Sequence, residues 1–217
     1  MIWKTAFLSI LLVFLAYLAG AWLTYDFAVW TAEGARRLQI ARSPVSPPNI
    51  AMRGPDLPDS TTLAGLLVNE GGATVVDFVY TRCPTVCRAL GSTFQQLQAN
   101  IKMSENTAVA KQGGIKLLTI SFDPGHDSTT ALSAYANQLK ADPTVWKFAT
   151  PANEKALQTL LDRFGVVVIS DGMGGYEHNA ALLVMNDRGQ LVRIFDLADL
   201  DAALVFAQGL AVPKPPR

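Results

Sequence analysis

The chain opens on a long apolar run. From Thr5 to Tyr25 it reads TAFLSILLVFLAYLAGAWLTY, 21 residues without a charge. As a helix, such a run spans about 30 Å, the thickness of a bilayer's hydrocarbon core. Trp3, Trp22, Tyr25 and Trp30 flank it, where interfacial aromatics belong. Residues 1–30 are therefore expected to form an uncleaved membrane anchor. The competing reading, a signal peptide cut near Ala19-Gly20-Ala21, meets an apolar run too long for a signal core. Lys4 and the amino terminus favour an N-in orientation, whereas Arg36, Arg37 and Arg42 beyond the run oppose it.

Residues 31–58 read as a linker. Its second part, SPVSPPNIAMRGPDLP (43–58), holds five of the twelve prolines and is expected to be an extended spacer. The folded domain is expected over 59–212, with PKPPR (213–217) as a tail. Within it, TVVDFVY (74–80) predicts a buried strand. Pro84 suits the first turn of a helix carrying Leu90, Phe94, Leu97 and Ile101 at helical spacing. GIKLLTISFD (114–123) predicts a second strand. Asp127 or Ser128 caps a helix through Leu132, Tyr135 and Leu139, and Asn153 caps another through Leu157, Leu160, Leu161 and Phe164. VVVIS (166–170) is a short strand. NAALLVMN (179–186) and QLVRIFD (190–196) flank Asp-Arg-Gly, a hairpin signal. ALVFAQGL closes the domain as a helix. The pattern predicts an α/β fold: a thioredoxin-like sandwich, a central mixed sheet flanked by helices, with an inserted helix–strand segment, behind one N-terminal transmembrane helix.

Composition narrows the function classes. Half the residues are hydrophobic, 17% are charged and the formal net charge is zero. The chain is too apolar to be disordered, and nothing basic enough for nucleic acid is present. Two cysteines and two histidines exclude a disulfide scaffold and a four-ligand Cys-rich zinc module.

The chemistry concentrates in Thr81-Arg82-Cys83-Pro84-Thr85-Val86-Cys87-Arg88, at a strand-to-helix junction. Read as helical i and i+4 positions, Cys83 and Cys87 share a face with Cβ atoms roughly 5–6 Å apart. Two thiols so placed close a disulfide or chelate one metal ion. A helix N-terminus, Arg82 and Arg88 all favour thiolate over thiol. For a third ligand, His178 lies before the predicted hairpin, where a thioredoxin fold packs its cysteine pair. His126, in a loop, reads as an ordinary surface histidine. The glycine-rich SDGMGGYE ahead of His178 is expected to be mobile. Two thiolates and an imidazole form a soft three-coordinate site that suits copper, as Cu(I) or Cu(II), better than zinc. Met173 is a further soft side chain, more naturally exposed.

CPTVC at a strand–helix junction, SFDPGHDS about 35 residues on, and a late EH before a strand and an NDRGQLV turn resemble the SCO/SenC proteins. The resemblance covers residues 74–196. It implies a membrane-anchored copper chaperone of cytochrome c oxidase assembly, with Cys83, Cys87 and His178 as metal ligands. It further implies delivery of copper to, or reduction of the cysteines of, the dinuclear copper site in oxidase subunit II. That places the soluble domain in the periplasm, single-pass behind the inner membrane, and decides the orientation as N-in. Two departures stand out: Thr85 sits where the family usually has an acidic residue, and Arg88 where it usually has proline. The segment before the first strand also looks short for the family's usual N-terminal hairpin.

Asp77 adds a competing function. In Val76-Asp77-Phe78 it stands six residues before Cys83, the spacing at which thioredoxins carry a buried proton-relaying aspartate. A thiol–disulfide oxidoreductase would use Cys83 to attack, Cys87 to resolve and Asp77 to accept a proton. The bland alternative is an aspartate at a sheet edge, hydrogen-bonded locally. The three-residue gap of CxxxC and the presence of His178 favour the metallochaperone over the enzyme.

Overall fold

The computed structural model describes residues 2–83, 86–104 and 114–211, with residues 86–89 described by their backbone alone. The expected tail at 213–217 and the expected helix-starting Pro84 lie outside the described residues. The chain separates into two compact units, Met1–Arg42 and Ser43–Arg217.

In the first unit, α1 (Ile2–Leu23) is long and apolar enough to cross a membrane. Its 22 residues correspond to about 33 Å. A second helix, α2 (Ala32–Arg42), follows within the stretch expected to be linker. Glu33 in its first turn pairs with Arg36 at 2.7 Å and Arg37 at 2.9 Å, the i,i+3 and i,i+4 arrangement that supports an isolated helix.

The second unit is built on a six-stranded sheet. Its strands are β1 (Met52–Arg53), β2 (Ala73–Val79), β3 (Ile115–Ser121), β4 (Trp146–Pro151), β7 (Leu182–Met185) and β8 (Leu191–Phe195), in the order β1-β4-β3-β2-β7-β8. β2, β3 and β4 run parallel, and β1, β7 and β8 pair antiparallel to their neighbours. The parallel strands need crossovers, which α4 (Val86–Ser104) and α5 (Thr129–Gln138) supply. Every residue of β2 is buried, the signature of a strand covered on both faces. On one face Ala73, Val75 and Leu117 meet Phe94, Leu97 and Ile101 of α4, Leu132 of α5, and Ala203, Leu204 and Ala207 of α7 (Leu200–Ala211). Val76, Phe78, Leu118 and Ile120, pointing the other way, are equally buried. This is the thioredoxin-like sandwich that the hydrophobic pattern predicts.

Local signals explain several element ends. Asn153 accepts from the Ala156 amide at 2.9 Å to start α6 (Glu154–Phe164), and Gly165 ends it at φ +65°. Ser128, not Asp127, caps α5, accepting from the Ala131 amide. The β7–β8 turn closes on Asn186, whose side chain accepts from Arg188 and Gln190.

Three features depart from the pattern. β4 was not predicted by it: Lys147 is exposed while Trp146 and Phe148 are buried, but proline ends the strand after six residues. The expected strand at 166–170 shortens to β5 (Val168–Ser170) and leaves the main sheet to pair with β6 (Tyr176–His178). The proline-rich segment is not a free spacer. Val45 and Leu191 exchange two backbone hydrogen bonds, at 3.0 and 2.8 Å, and Met52 is 2% exposed in β1. Prolines enforce extended backbone, and the non-proline residues between them supply the donors that a sheet edge accepts.

Candidate metal and thiol site

β2 continues through Tyr80 into the turn Thr81-Arg82-Cys83. The Cys83 amide donates to the Tyr80 carbonyl at 3.1 Å, and the Cys83 side chain is half-buried. The described part of α4 spans Val86–Ser104 and includes Cys87, while Cys83 lies in the turn ahead of it. The Cys87 side chain lies outside the described residues.

The turn is held from the β3–α5 connection. Asp127 is fully buried. Its carboxylate accepts from the Thr81 amide at 2.9 Å, the Thr81 hydroxyl at 2.6 Å and the Ser121 hydroxyl at 2.5 Å. Asp127 thus fixes the backbone two residues before Cys83 and is not a helix cap. Asp123, also buried, accepts from Arg82 at 2.8 Å and pairs with His126 Nδ1 at 2.9 Å. Burial alone would raise its pKa, but the Arg82 and His126 hydrogen bonds outweigh burial and hold the carboxyl below its ordinary range. The pairing turns part of the Arg82 charge toward Asp123, so less of it acts on the Cys83 thiol than its position in the sequence implies. His126 is an exposed partner of Asp123, as a surface histidine should be.

His178 reaches the same region from β6. It lies within a strand, paired with Val168, rather than in a turn. The stretch ahead of it is an ordered hairpin end. The Asp171 carboxylate accepts from the Met173 and Gly175 amides at 2.7 and 2.9 Å. At the arm's base, Asn179 accepts from the Val167 amide at 2.8 Å and donates to the Gly165 carbonyl at 3.1 Å. Met173 is 89% exposed at the hairpin tip, the opposite end from His178. The His178 ring packs edge-on against Phe122 at 5.0 Å. Both of its ring nitrogens are buried without a hydrogen-bond partner. Burial lowers its pKa, which favours the neutral imidazole, the form with a lone pair to give.

Asp77 is 1% exposed in the middle of β2, an interior strand between β3 and β7, so it is not a sheet-edge aspartate. Neither carboxyl oxygen has a hydrogen-bond partner that meets normal geometry. Burial pushes its pKa up to about 7, against smaller opposing pulls from Thr119, its register partner on β3, and its own backbone amide.

The SCO1/SenC family, by its sequence model, matches residues 68–208. The chain belongs to the SCO1/SenC family. No curated protein matches it. Among solved structures, a SCO1/SenC family lipoprotein from Bacillus anthracis str. Ames is 18% identical with a TM-score of 0.65, covering 79% of this chain and 99% of its own. BsSco, described as a disulfide-switch member of the Sco family of cytochrome c oxidase assembly proteins, is 17% identical with a TM-score of 0.64, covering 79% and 96%. Yeast Sco1 with copper bound is 16% identical with a TM-score of 0.59, covering 78% and 92%. At these identities the likeness establishes the fold.

Among the described residues, no three His, Cys, Asp or Glu side chains stand together as a metal-binding group. In this SCO1/SenC chain a three-ligand site thus needs the Cys87 side chain. The donor set fits a soft metal: a half-buried sulfur at the turn and an imidazole whose buried nitrogens meet no hydrogen-bonding partner among the described residues. Buried ring nitrogens with no partner are costly unless something else completes them. Sequence reasoning missed Tyr80 and took Asp127 for a helix cap. SFDPGHDS marked the segment, but the target of Asp127 lies 46 residues away in the chain.

Proposed function

We propose that this protein is a membrane-anchored copper chaperone. Residues 1–30 anchor it in the inner membrane, and the thioredoxin-like domain faces the periplasm. The cargo, one copper ion, is held by Cys83, Cys87 and His178 and is passed to the dinuclear copper site of cytochrome c oxidase subunit II. The observation that carries this reading is His178: a half-buried imidazole whose buried ring nitrogens have no partner among the described residues, packed on Phe122, which in turn meets Tyr80 three residues before Cys83. The copper-bound yeast Sco1 and the oxidase-assembly description of BsSco support it. Cys87 in the first turn of α4 meets the positive end of the helix dipole, which favours its thiolate. A three-coordinate soft site suits transfer, because an incoming thiolate displaces one ligand at a time. The test is direct transfer. The reduced full-length chain, loaded with one Cu(I) and mixed with copper-free subunit II domain, is expected to lose its copper to that domain. Retention of copper under those conditions contradicts the reading.

A second reading rests on Asp77. A buried carboxyl with no well-formed hydrogen bond and a pKa pushed up to about 7 is suited to take and return a proton. In thiol–disulfide exchange, the Cys83 thiolate attacks one sulfur of a partner disulfide and the other leaves as a thiolate. Cys87 gives its proton to the Asp77 carboxylate and attacks Cys83 of the mixed disulfide, and the second partner sulfur leaves as a thiolate that takes the proton back from Asp77 or from solvent. The Cys83–Cys87 pair is oxidised by two electrons and the partner disulfide is reduced by two. The two activities are sequential rather than exclusive, because a target's cysteines must be reduced before they take copper. His178→Ala separates them: it is expected to abolish tight copper binding and to spare disulfide exchange.

A further inference from the structure

The cysteine loop and the histidine strand are about a hundred residues apart in sequence, yet one side chain touches both. Tyr80 is 3% exposed and lies three residues before Cys83. Its carbonyl accepts from the Cys83 amide at 3.1 Å. Its hydroxyl accepts from the amide of Tyr176, the first residue of β6, at 3.2 Å. Its ring meets Tyr176 edge-on at 5.2 Å and Phe122 at 5.4 Å. Phe122 in turn meets Tyr176 at 5.6 Å and His178 at 5.0 Å. Tyr176 and His178 fall on the same face of a three-residue strand, so fixing one fixes the other.

The neighbouring glycine makes room for the hairpin end beside this contact. A Cβ on Gly175 would stand 3.4 Å from the Tyr80 hydroxyl oxygen and 2.4 Å from Asp171 Oδ2. A side chain there would push the Asp171 carboxylate off the hairpin end while still clearing Tyr80. The hydroxyl is not required for packing, since phenylalanine would fill the same volume against Phe122. Its distinct contribution is the bond to β6.

We infer that Tyr80 is the positioning residue that locks the histidine strand to the cysteine loop, through its hydroxyl on the Tyr176 amide and its ring on the Tyr176–Phe122–His178 cluster. The inference rests on the copper reading, in which Cys83 and His178 hold one ion. Tyr80 acts through the two elements that carry the ligands. It limits the freedom of the two elements that carry them. Tyr80→Phe keeps the ring and removes the lock.

The test is a double-mutant cycle on Cu(I) affinity, using the reduced full-length chain in detergent against a chromogenic Cu(I) chelator. Wild type, Tyr80→Phe, His178→Ala and the double variant are compared. One hydrogen bond of ordinary net strength corresponds to about a 2–10-fold effect. Tyr80→Phe is expected to weaken binding by that factor in the wild-type background and to change nothing once His178 is alanine. Amide exchange of the metal-free protein supplies a copper-independent readout. The Tyr176 amide is expected to exchange about 2–10-fold faster in Tyr80→Phe, with α6 amides unchanged. Equal losses in both backgrounds would make Tyr80 a general stabiliser and overturn the inference, as would unchanged affinity or unchanged Tyr176 exchange. If His178→Ala itself leaves affinity intact, the copper reading fails, and the inference falls with it.

Discussion

Asp77 gives the sharpest stability prediction. Its carboxyl is buried at mid-strand with no well-formed hydrogen bond, and burial raises its pKa from an ordinary 3.8 to about 7 against smaller opposing pulls. Between those values the folded chain holds a proton that the unfolded chain has released. Folding stability from this group is therefore complete below about pH 4 and is lost as pH rises through about 7. At ~1.4 kcal/mol per pKa unit, the full loss is about 4 kcal/mol, of which about 2–3 kcal/mol falls between pH 5 and pH 8. His178 acts in the opposite sense. Its lowered pKa means that stability from it rises with pH and is lost on acidification through the ordinary histidine range. The two effects overlap, so a wild-type curve alone does not separate them. Asp77→Asn does, because the amide has the same shape and no titration. Urea unfolding of the full-length protein in detergent, from pH 5 to pH 8, should show wild type losing about 2–3 kcal/mol relative to Asp77→Asn across that range. A difference that is constant across that range refutes the buried, proton-holding carboxyl.

Other substitutions test the scaffold. Asp127→Ala removes three hydrogen bonds to a buried carboxylate. It is expected to cost about 3 kcal/mol and lower the thermal midpoint by about 6–12 °C, followed by scanning fluorimetry. Gly54→Ala would bring a Cβ to 2.2 Å from the Phe148 carbonyl oxygen, forcing β1 away from β4. It should cost about 1–3 kcal/mol in urea unfolding, while Gly65→Ala, whose Cβ meets nothing closer than 3.4 Å, serves as the neutral control. Phe94→Ala opens the core beside Trp146 and is expected to cost about 3–5 kcal/mol in the same assay.

Much of the scaffold was legible in the sequence because its determinants are local. The largely apolar β2 and β3, the helical spacing of Leu157, Leu160, Leu161 and Phe164, the Asn153 cap and the Asp-Arg-Gly hairpin each encode their element within a dozen residues. What escaped depends on distant partners. β5 and β6 pair across a glycine turn that looks mobile until Asp171 gathers its amides. Val45 and Met52 join the sheet only because Leu191 and Pro151 offer an edge. Asp127 reads as a helix cap until Thr81 is brought to it. The site shows the same division. Cys83 and His178 stand out by their chemistry, whereas Tyr80, which touches both of their elements, carries no signal in a run of apolar strand residues.

The central claim is that one copper ion is held with the help of His178. The most direct measurement is Cu(I) binding to the reduced, anaerobic full-length protein, with wild type and His178→Ala side by side. The account predicts one tightly held ion per wild-type chain and a loss of about 10-fold or more in affinity without the imidazole. Copper binding that is weak in wild type, or equally tight in both proteins, would contradict it and leave thiol exchange through Cys83 and Cys87, with Asp77 behind them, as the reading to pursue.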